Sequence, residues 1–231
     1  MSYMRFVCLL ATTLTTAAVL MAVAQSPALQ RGISVQMAVT NNAAPMPEAD
    51  NNDAWIVTVD ADGNVYFGID PFTPSELAEK MKTIPRRRDQ KLYIKADARA
   101  PFSSVQQVLN AARVDFFDDV VLLTAQPEAA HTGTIVAPKG LNVWIGNEAG
   151  SNFVAVQIGG DQGSGTLKVG NKTVAPSALQ GQLAQLFDNR AGRIVLLKAS
   201  SQITFAQLVQ AIDASQAAGA SRVTVIVSGE V

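Results

Sequence analysis

The chain has 231 residues, 18 basic against 19 acidic side chains, and 48% hydrophobic residues. That length allows one large domain or two small ones, with ample apolar content for a packed core. The charge balance excludes a general nucleic-acid or anionic-membrane footprint. With a single cysteine, Cys8, and a single histidine, His131, the chain also lacks the parts for a disulfide framework, a His/Cys metal site or a His-based triad.

At the N-terminus, Arg5 precedes a run from Phe6 to Gln30 that carries no charge. Its apolar part, Phe6 to Ala24, would span roughly 28 Å as a helix, enough to cross a bilayer. The same residues fit a leader peptide, with Ala22-Val23-Ala24 as a small-x-small cleavage site before Gln25. Composition leaves cleavage and retention open. In either case Arg5 holds the short end inside, and the remaining chain lies on the far side of the membrane.

"GISV" at Gly32 to Val35 is a candidate strand, and "TNNAAPMPEADNND", residues 40 to 53, reads as a loop because it is rich in Asn, Pro and acids without an apolar period. The alternation of "WIVTVD" predicts a strand over 55–60, Asp62-Gly63 a tight turn, and "NVYFG" the returning strand. Thr73, Pro74 and Glu76 form a capping box for a helix whose stripe is Leu77, Met81 and Ile84. "KLYIKA" (91–96) is a third strand. A helix from Phe102 to Arg113 follows, burying Val105, Val108, Leu109 and Ala112, and "DVVLLT" (119–124) closes the unit as a fourth strand.

The same order then recurs. "GLNV" at Gly140 answers "GISV", Phe153 to Ile158 is a strand, and "TLKVG" ends on Gly170 as the earlier hairpin ended on Gly68. Leu179, Leu183 and Leu186 copy the stripe 77, 81, 84, and "RIVLLKA" answers "KLYIKA". Phe205, Leu208, Val209 and Ile212 form a second helix face before "RVTVIVS" at Arg222 to Ser228. Across the body of the unit the offset drifts only from 102 to 104 residues, which reads as a tandem duplication.

The fold class expected is therefore α+β: two tandem two-layer sandwiches, each β-β-α-β-α-β with two helices on one face of a four- to five-stranded sheet. The other face of each sheet must stay wet or meet a partner, and the sister copy is the nearest one. The domain plan is an anchor or leader at 1–30, a first domain at 31–128, a linker at 129–139 and a second domain at 140–231.

Other motifs carry little chemistry. Counted from Asp60, a calcium loop would need Gly at Val65 and an acid at Pro71, so "DADGNVYFGIDP" is a hairpin. "GGDQGSGT" (Gly159 to Thr166) lacks the Lys-Ser/Thr of a phosphate loop and opens a strand. The acids Asp60, Asp62, Asp70, Asp118 and Asp119 sit in turns and helix ends rather than as a converging pair. Arg86-Arg87-Arg88 reads as a solvated helix end. The chain is expected not to be an enzyme, with no cofactor and no metal. Residues 31–130 hold 10 basic and 14 acidic side chains and residues 131–231 hold 7 and 5, a difference in sign that favours docking of one copy on the other.

"GISVQMAVTNNAAP", "DGNVYFG", the "TPSEL" helix, "LYIKAD" and the closing "VVLLT" resemble the periplasmic part of the ExbD/TolR family, and "AVLMAVAQSPAL" looks like the end of that family's membrane helix. The resemblance covers residues 17 to 126 and, more weakly, 133 to 229. It implies an inner-membrane accessory of a proton-driven motor, facing the periplasm, in which an ExbB/TolQ-like channel surrounds a dimer of this subunit and energises a TonB/TolA-like transducer. Periplasmic domains of that kind dimerise and contact the transducer or peptidoglycan. It tips residues 1–24 toward a retained anchor, with a soluble periplasmic module as the alternative.

Two departures qualify that reading. The family's membrane helix carries one proton-binding aspartate, whereas "LLATTLTT" here offers only neutral Thr12 and Thr13, and the first acid of the chain is Glu48. Asp97 of "IKAD" becomes Ser200 in "LKAS"; Asp97 is either a structural capping acid or a contact residue, and the Ser replacement favours the first. The candidate partner-contact strand is Gly32, Ile33, Ser34, Val35, Gln36, Met37, Ala38 and Val39, placed at an open sheet edge where a peptide can add.

Overall fold

A computed structural model describes residues 32–85, 87, 89–125, 137–146, 152–160, 166–188, 190 and 192–227. The apolar N-terminal run, His131 and most of the linker lie outside the described residues. Residues 33–231 form one compact unit.

The strands are β1 (Ala44–Pro45), β2 (Trp55–Val59), β3 (Val65–Phe67), β4 (Asp70–Phe72), β5 (Leu92–Ala96), β6 (Asp119–Thr124), β7 (Lys139–Gly146), β8 (Phe153–Gly159), β9 (Thr166–Val169), β10 (Lys172–Val174), β11 (Ile194–Ala199) and β12 (Arg222–Ile226). The helices are α1 (Pro74–Thr83), α2 (Phe102–Val114), α3 (Leu179–Asp188) and α4 (Phe205–Ala217). The protein is thus a mixed α+β structure with a large sheet and four helices. Sequence patterning expects two sheets. The strands instead join in a single sheet with the order β10-β9-β8-β11-β12-β7-β6-β5-β2-β3-β4, and β1 pairs the N-terminal end of β7.

The joint is β7. Six antiparallel partners link it to β6, from Asp119↔Trp144 to Thr124↔Lys139, and its C-terminal end runs parallel to β12. A short, strongly apolar strand such as β6 ("DVVLLT") needs a neighbour on each side, because its backbone groups are buried on both faces. The N-terminal edge of β7 is packed closely: a methyl added at Gly140 would come within 2.5 Å of Val121 Cγ1 and 3.0 Å of the Leu122 carbonyl oxygen. Because β7 takes the place beside β6, the lead-in expected as a strand at 32–35 is not one. It keeps only isolated bridges, Met37↔Asp97 and Val39↔Ala125.

Outward from the joint the two halves run in the same order, β6-β5-β2-β3-β4 and β12-β11-β8-β9-β10. The short outer strands β4 and β10 escape sequence reading because three residues carry no measurable period, and one of those in β4 is Pro71. Helix stripes pack as expected at Val105, Val108, Leu109 and Ala112, and at Phe205, Leu208, Val209 and Ile212, all at most 1% exposed. On α3 the buried residue after Leu183 is Phe187, with Leu186 half-buried beside it. The Thr73–Glu76 capping box forms at α1, and Thr204–Gln207 forms another at α4. Helix-facing residues of both halves belong to one core.

The halves also meet at equivalent positions. Phe102 N–H donates to the Ile203 carbonyl (2.9 Å) and Phe205 N–H donates to the Ala100 carbonyl (2.8 Å), around a bridge between Pro101 and Thr204. Each residue in the first bond stands 103 positions from its counterpart in the second. Reciprocal bonds of this kind are the signature of an isologous contact about a two-fold axis. The second half thus packs on the first edge to edge and helix to helix, not onto the other sheet face.

Candidate interaction surfaces

The sheet has a helix-covered face and an outer face, and the outer face differs between the halves. In the first half, Ala38 and Ala43 join the helix-side core and the Asn41 and Asn42 N–H groups donate to Asp213 of α4, after which residues 46–54 fold over the outer face. Met46 and Ala49 bury against Tyr93, Val121 and Leu123, with Met37, Ala54 and Ile56 packed beside them. The segment expected as a plain loop thus supplies a second small core. It carries two buried apolar side chains in a polar sequence, too few to register as a period.

Asp97 fastens this cover. It is 3% exposed and accepts from Gln36 N–H (2.9 Å), Arg99 N–H (3.0 Å), Arg99 Nε (2.9 Å) and Arg99 Nη2 (3.1 Å). The Arg99 guanidinium is the main cause that holds its carboxyl down at about 2; burial opposes this, and the two backbone donors add to it. In the second half Ser200 accepts from Gln202 N–H (3.3 Å), the counterpart of the Arg99 N–H bond. The shared task is a local turn. The added task of Asp97 is to hold Gln36. Lys95 helps by donating from Nζ to the Ile33 carbonyl (3.0 Å).

From Ile33 to Val39 the candidate strand is therefore docked across the first half, with Gln36, Met37 and Ala38 bonded or bridged to residues 97, 98 and 125. Val39 is 56% exposed. It does not lie at an edge of the sheet. The edges are β4 and β10, and they differ. Each closes on its neighbour through a two-residue turn, Phe67↔Asp70 and Val169↔Lys172, so Pro71 and Thr173 occupy the same register position. Proline has no N–H and sits where the backbone nitrogen points away from the sheet. Thr173 turns an ordinary N–H outward at that place, so β10 can accept a further strand and β4 is blunted.

Next to β10 a row crosses the outer face: Thr173, Lys168, Gln157 and Lys198 are successive cross-strand partners. The matching row in the first half is Pro71, Tyr66, Thr58 and Lys95. An open cleft of about 360 Å³ lies along Lys168, Gln157 and Lys198.

Of the other candidates, Asp60 braces its own hairpin by accepting from Asp62 N–H, Asn64 N–H and Nδ2, and the Tyr66 hydroxyl. Burial raises its pKa, and these bonds outweigh that and leave it lowered. Arg87 pairs with Asp53 (3.4 Å) and Asp89 (3.8 Å) on the surface. No group of His, Cys, Asp or Glu with metal-binding geometry occurs among the described residues. Among them, too, no helix is long and apolar enough to cross a membrane.

A family model described as biopolymer transport protein ExbD/TolR matches residues 6–127, more than half of the chain. The chain belongs to the ExbD/TolR family. Members are transport accessory proteins rather than enzymes; they are anchored in the inner membrane with a periplasmic domain and work with ExbB/TolQ-type and TonB/TolA-type partners. No curated protein and no solved structure gave a match.

Proposed function

We propose that this protein is a non-enzymatic, periplasm-facing accessory subunit of an inner-membrane energy-transducing complex of the TonB/Tol type, in which one chain takes the place of a subunit dimer. The observation that carries the reading is the reciprocal pair of hydrogen bonds, Phe102 to Ile203 and Phe205 to Ala100, between residues 103 positions apart. It supports a tandem duplication, with residues 31–128 and 140–231 as the copies and the pseudo-dimer built into the chain. The stretch Phe6 to Gln30 contains no carboxylate, so the chain does not carry its own proton-binding aspartate there. Its part is to hold and present contacts, through an ExbB/TolQ-like channel on one side and a TonB/TolA-like transducer on the other.

The contact edge in this reading is β10. It is the sheet edge without proline, and a strand from a transducer would pair with Thr173. The test has two parts. The full chain is isolated from its native membrane with the channel subunit, and native mass spectrometry counts copies: one chain per channel is expected, and two overturn the internal dimer. Thr173→Pro, which copies Pro71, is expected to abolish crosslinking to the transducer while leaving the fold intact; undiminished crosslinking overturns β10 as the edge.

A second reading is favoured by the same uncharged N-terminal stretch: a soluble periplasmic module, cleaved before Gln25, that engages a protein partner or peptidoglycan. N-terminal sequencing and fractionation decide between them. A chain that begins at Gln25 in the periplasmic fraction selects the module; an intact Met1 terminus in the membrane fraction selects the subunit.

A further inference from the structure

Helices α2 and α4 end in the same turn. Phe116 N–H bonds to the Arg113 carbonyl and Phe117 N–H to the Ala112 carbonyl; 103 residues later Gly219 N–H bonds to Gln216 and Ala220 N–H to Ser215. This is the Schellman arrangement, which requires a left-handed residue just past the helix. The second half uses Gly219, at φ +87°. The first half uses Phe116, at φ 60°, the one non-glycine residue with positive φ among those described. A bulky side chain in that region is an outlier, because its Cβ crowds the neighbouring carbonyl.

Phe117, the next residue, turns inward to 5% exposure and packs on Trp55, with ring centroids 5.9 Å apart. The Phe116 ring points out and is 84% exposed, and Val114 on the same turn is 53% exposed. A strained backbone that presents an apolar ring to solvent is a feature of binding sites, where a partner recovers what the free protein forgoes. Within three positions of it along the chain stand three acids, Asp115, Asp118 and Asp119, and one base, Arg113.

We propose that Phe116, with Val114, is the anchor of a protein-docking site whose occupant offers an apolar socket rimmed by lysine or arginine. The acids select the rim. They also disfavour the alternatives, since an anionic lipid surface would be repelled and a second copy docked by the same turn would bring like charges together.

The test places p-benzoylphenylalanine at position 116 of the full-length protein in its native cells, with position 69, also exposed, as the control. The expected result is a protein adduct specific to 116, mapped to a peptide that carries Lys or Arg. Its yield should fall roughly five-fold in the Asp115→Asn/Asp118→Asn variant, the loss expected for two exposed charge pairs. No adduct above the control, an adduct with lipid or with a second copy, or a yield that ignores the acids overturns the proposal. On the purified protein, Phe116→Gly should raise Tm by roughly 2 to 4 °C as the strain is relieved. A lower Tm would mean that the ring serves the fold, and would overturn it as well.

Discussion

The two halves share a strand order and a helix order, yet they finish their outer faces differently. In the first half the chain's own lead-in lies across the sheet, clamped by Asp97 and filled by Met46 and Ala49. In the second half the corresponding segment is β7, built into the sheet between β12 and β6. One position cannot be filled twice. Once β7 pairs with β6, the first lead-in has no ladder to join and covers a face instead. The lesson is that similar sequences joined in one chain need not keep similar surroundings, because the joint uses up a site that only one of them can occupy.

The largest expected effect tests whether the comparison concerns two units or one. Residues of both halves share a single core, so Phe205→Ala should cost about 3 to 5 kcal/mol and lower one common transition. Trp55 and Trp144 report on the first half and on β7. Denaturant unfolding followed in Trp55→Phe and Trp144→Phe backgrounds should give coincident midpoints; separated midpoints would break the single-core account.

Asp97 sharpens the difference between the outer faces. Its folded pKa, about 2, is depressed below its ordinary 3.8, so its contribution is complete above the unfolded value and disappears as pH falls from about 4 to about 2. That contribution amounts to about 2 kcal/mol. Asp97→Ser, which installs the residue found at Ser200, should lose a similar amount at neutral pH and flatten the acid limb of a pH–stability curve. Hydrogen exchange should show faster opening at Gln36. Ser200→Asp should leave stability almost unchanged, as no lead-in lies there to be held.

The smallest effect concerns the helix starts where the two halves meet. Thr204 caps α4 through its side chain, whereas Pro101, its counterpart, gives α2 no side-chain cap. Thr204→Ala should cost about 1 kcal/mol, read from the denaturation midpoint. Pro101→Ala should change the cap energy little, since there is no side-chain bond to lose.

Local chemistry made much of this architecture legible. The apolar stripes of α2 and α4, the capping box at Thr73 and the turn at Asp62-Gly63 are written in spacings of a few residues, and β6 falls on residues 119–124 as its apolar run predicts. The surfaces were less legible. Nothing in "KTV" or "DPF" announces an edge strand, and the meaning of Pro71 against Thr173 depends on the register of their hairpins. Likewise Phe116 reads as an ordinary apolar residue until its backbone angle and exposure are known.

By itself the sequence determined most of the elements, their order and the family, because helix and strand periods, caps and turns are set by neighbours along the chain. Tertiary structure decided that the strands form one sheet, that the lead-in covers a face instead of an edge, and that Asp97 clasps it while Ser200 does not. These depend on which segment pairs with β6 and on contacts such as Gln36 with Asp97, 61 residues apart, a competition for hydrogen-bonding partners that no local pattern records.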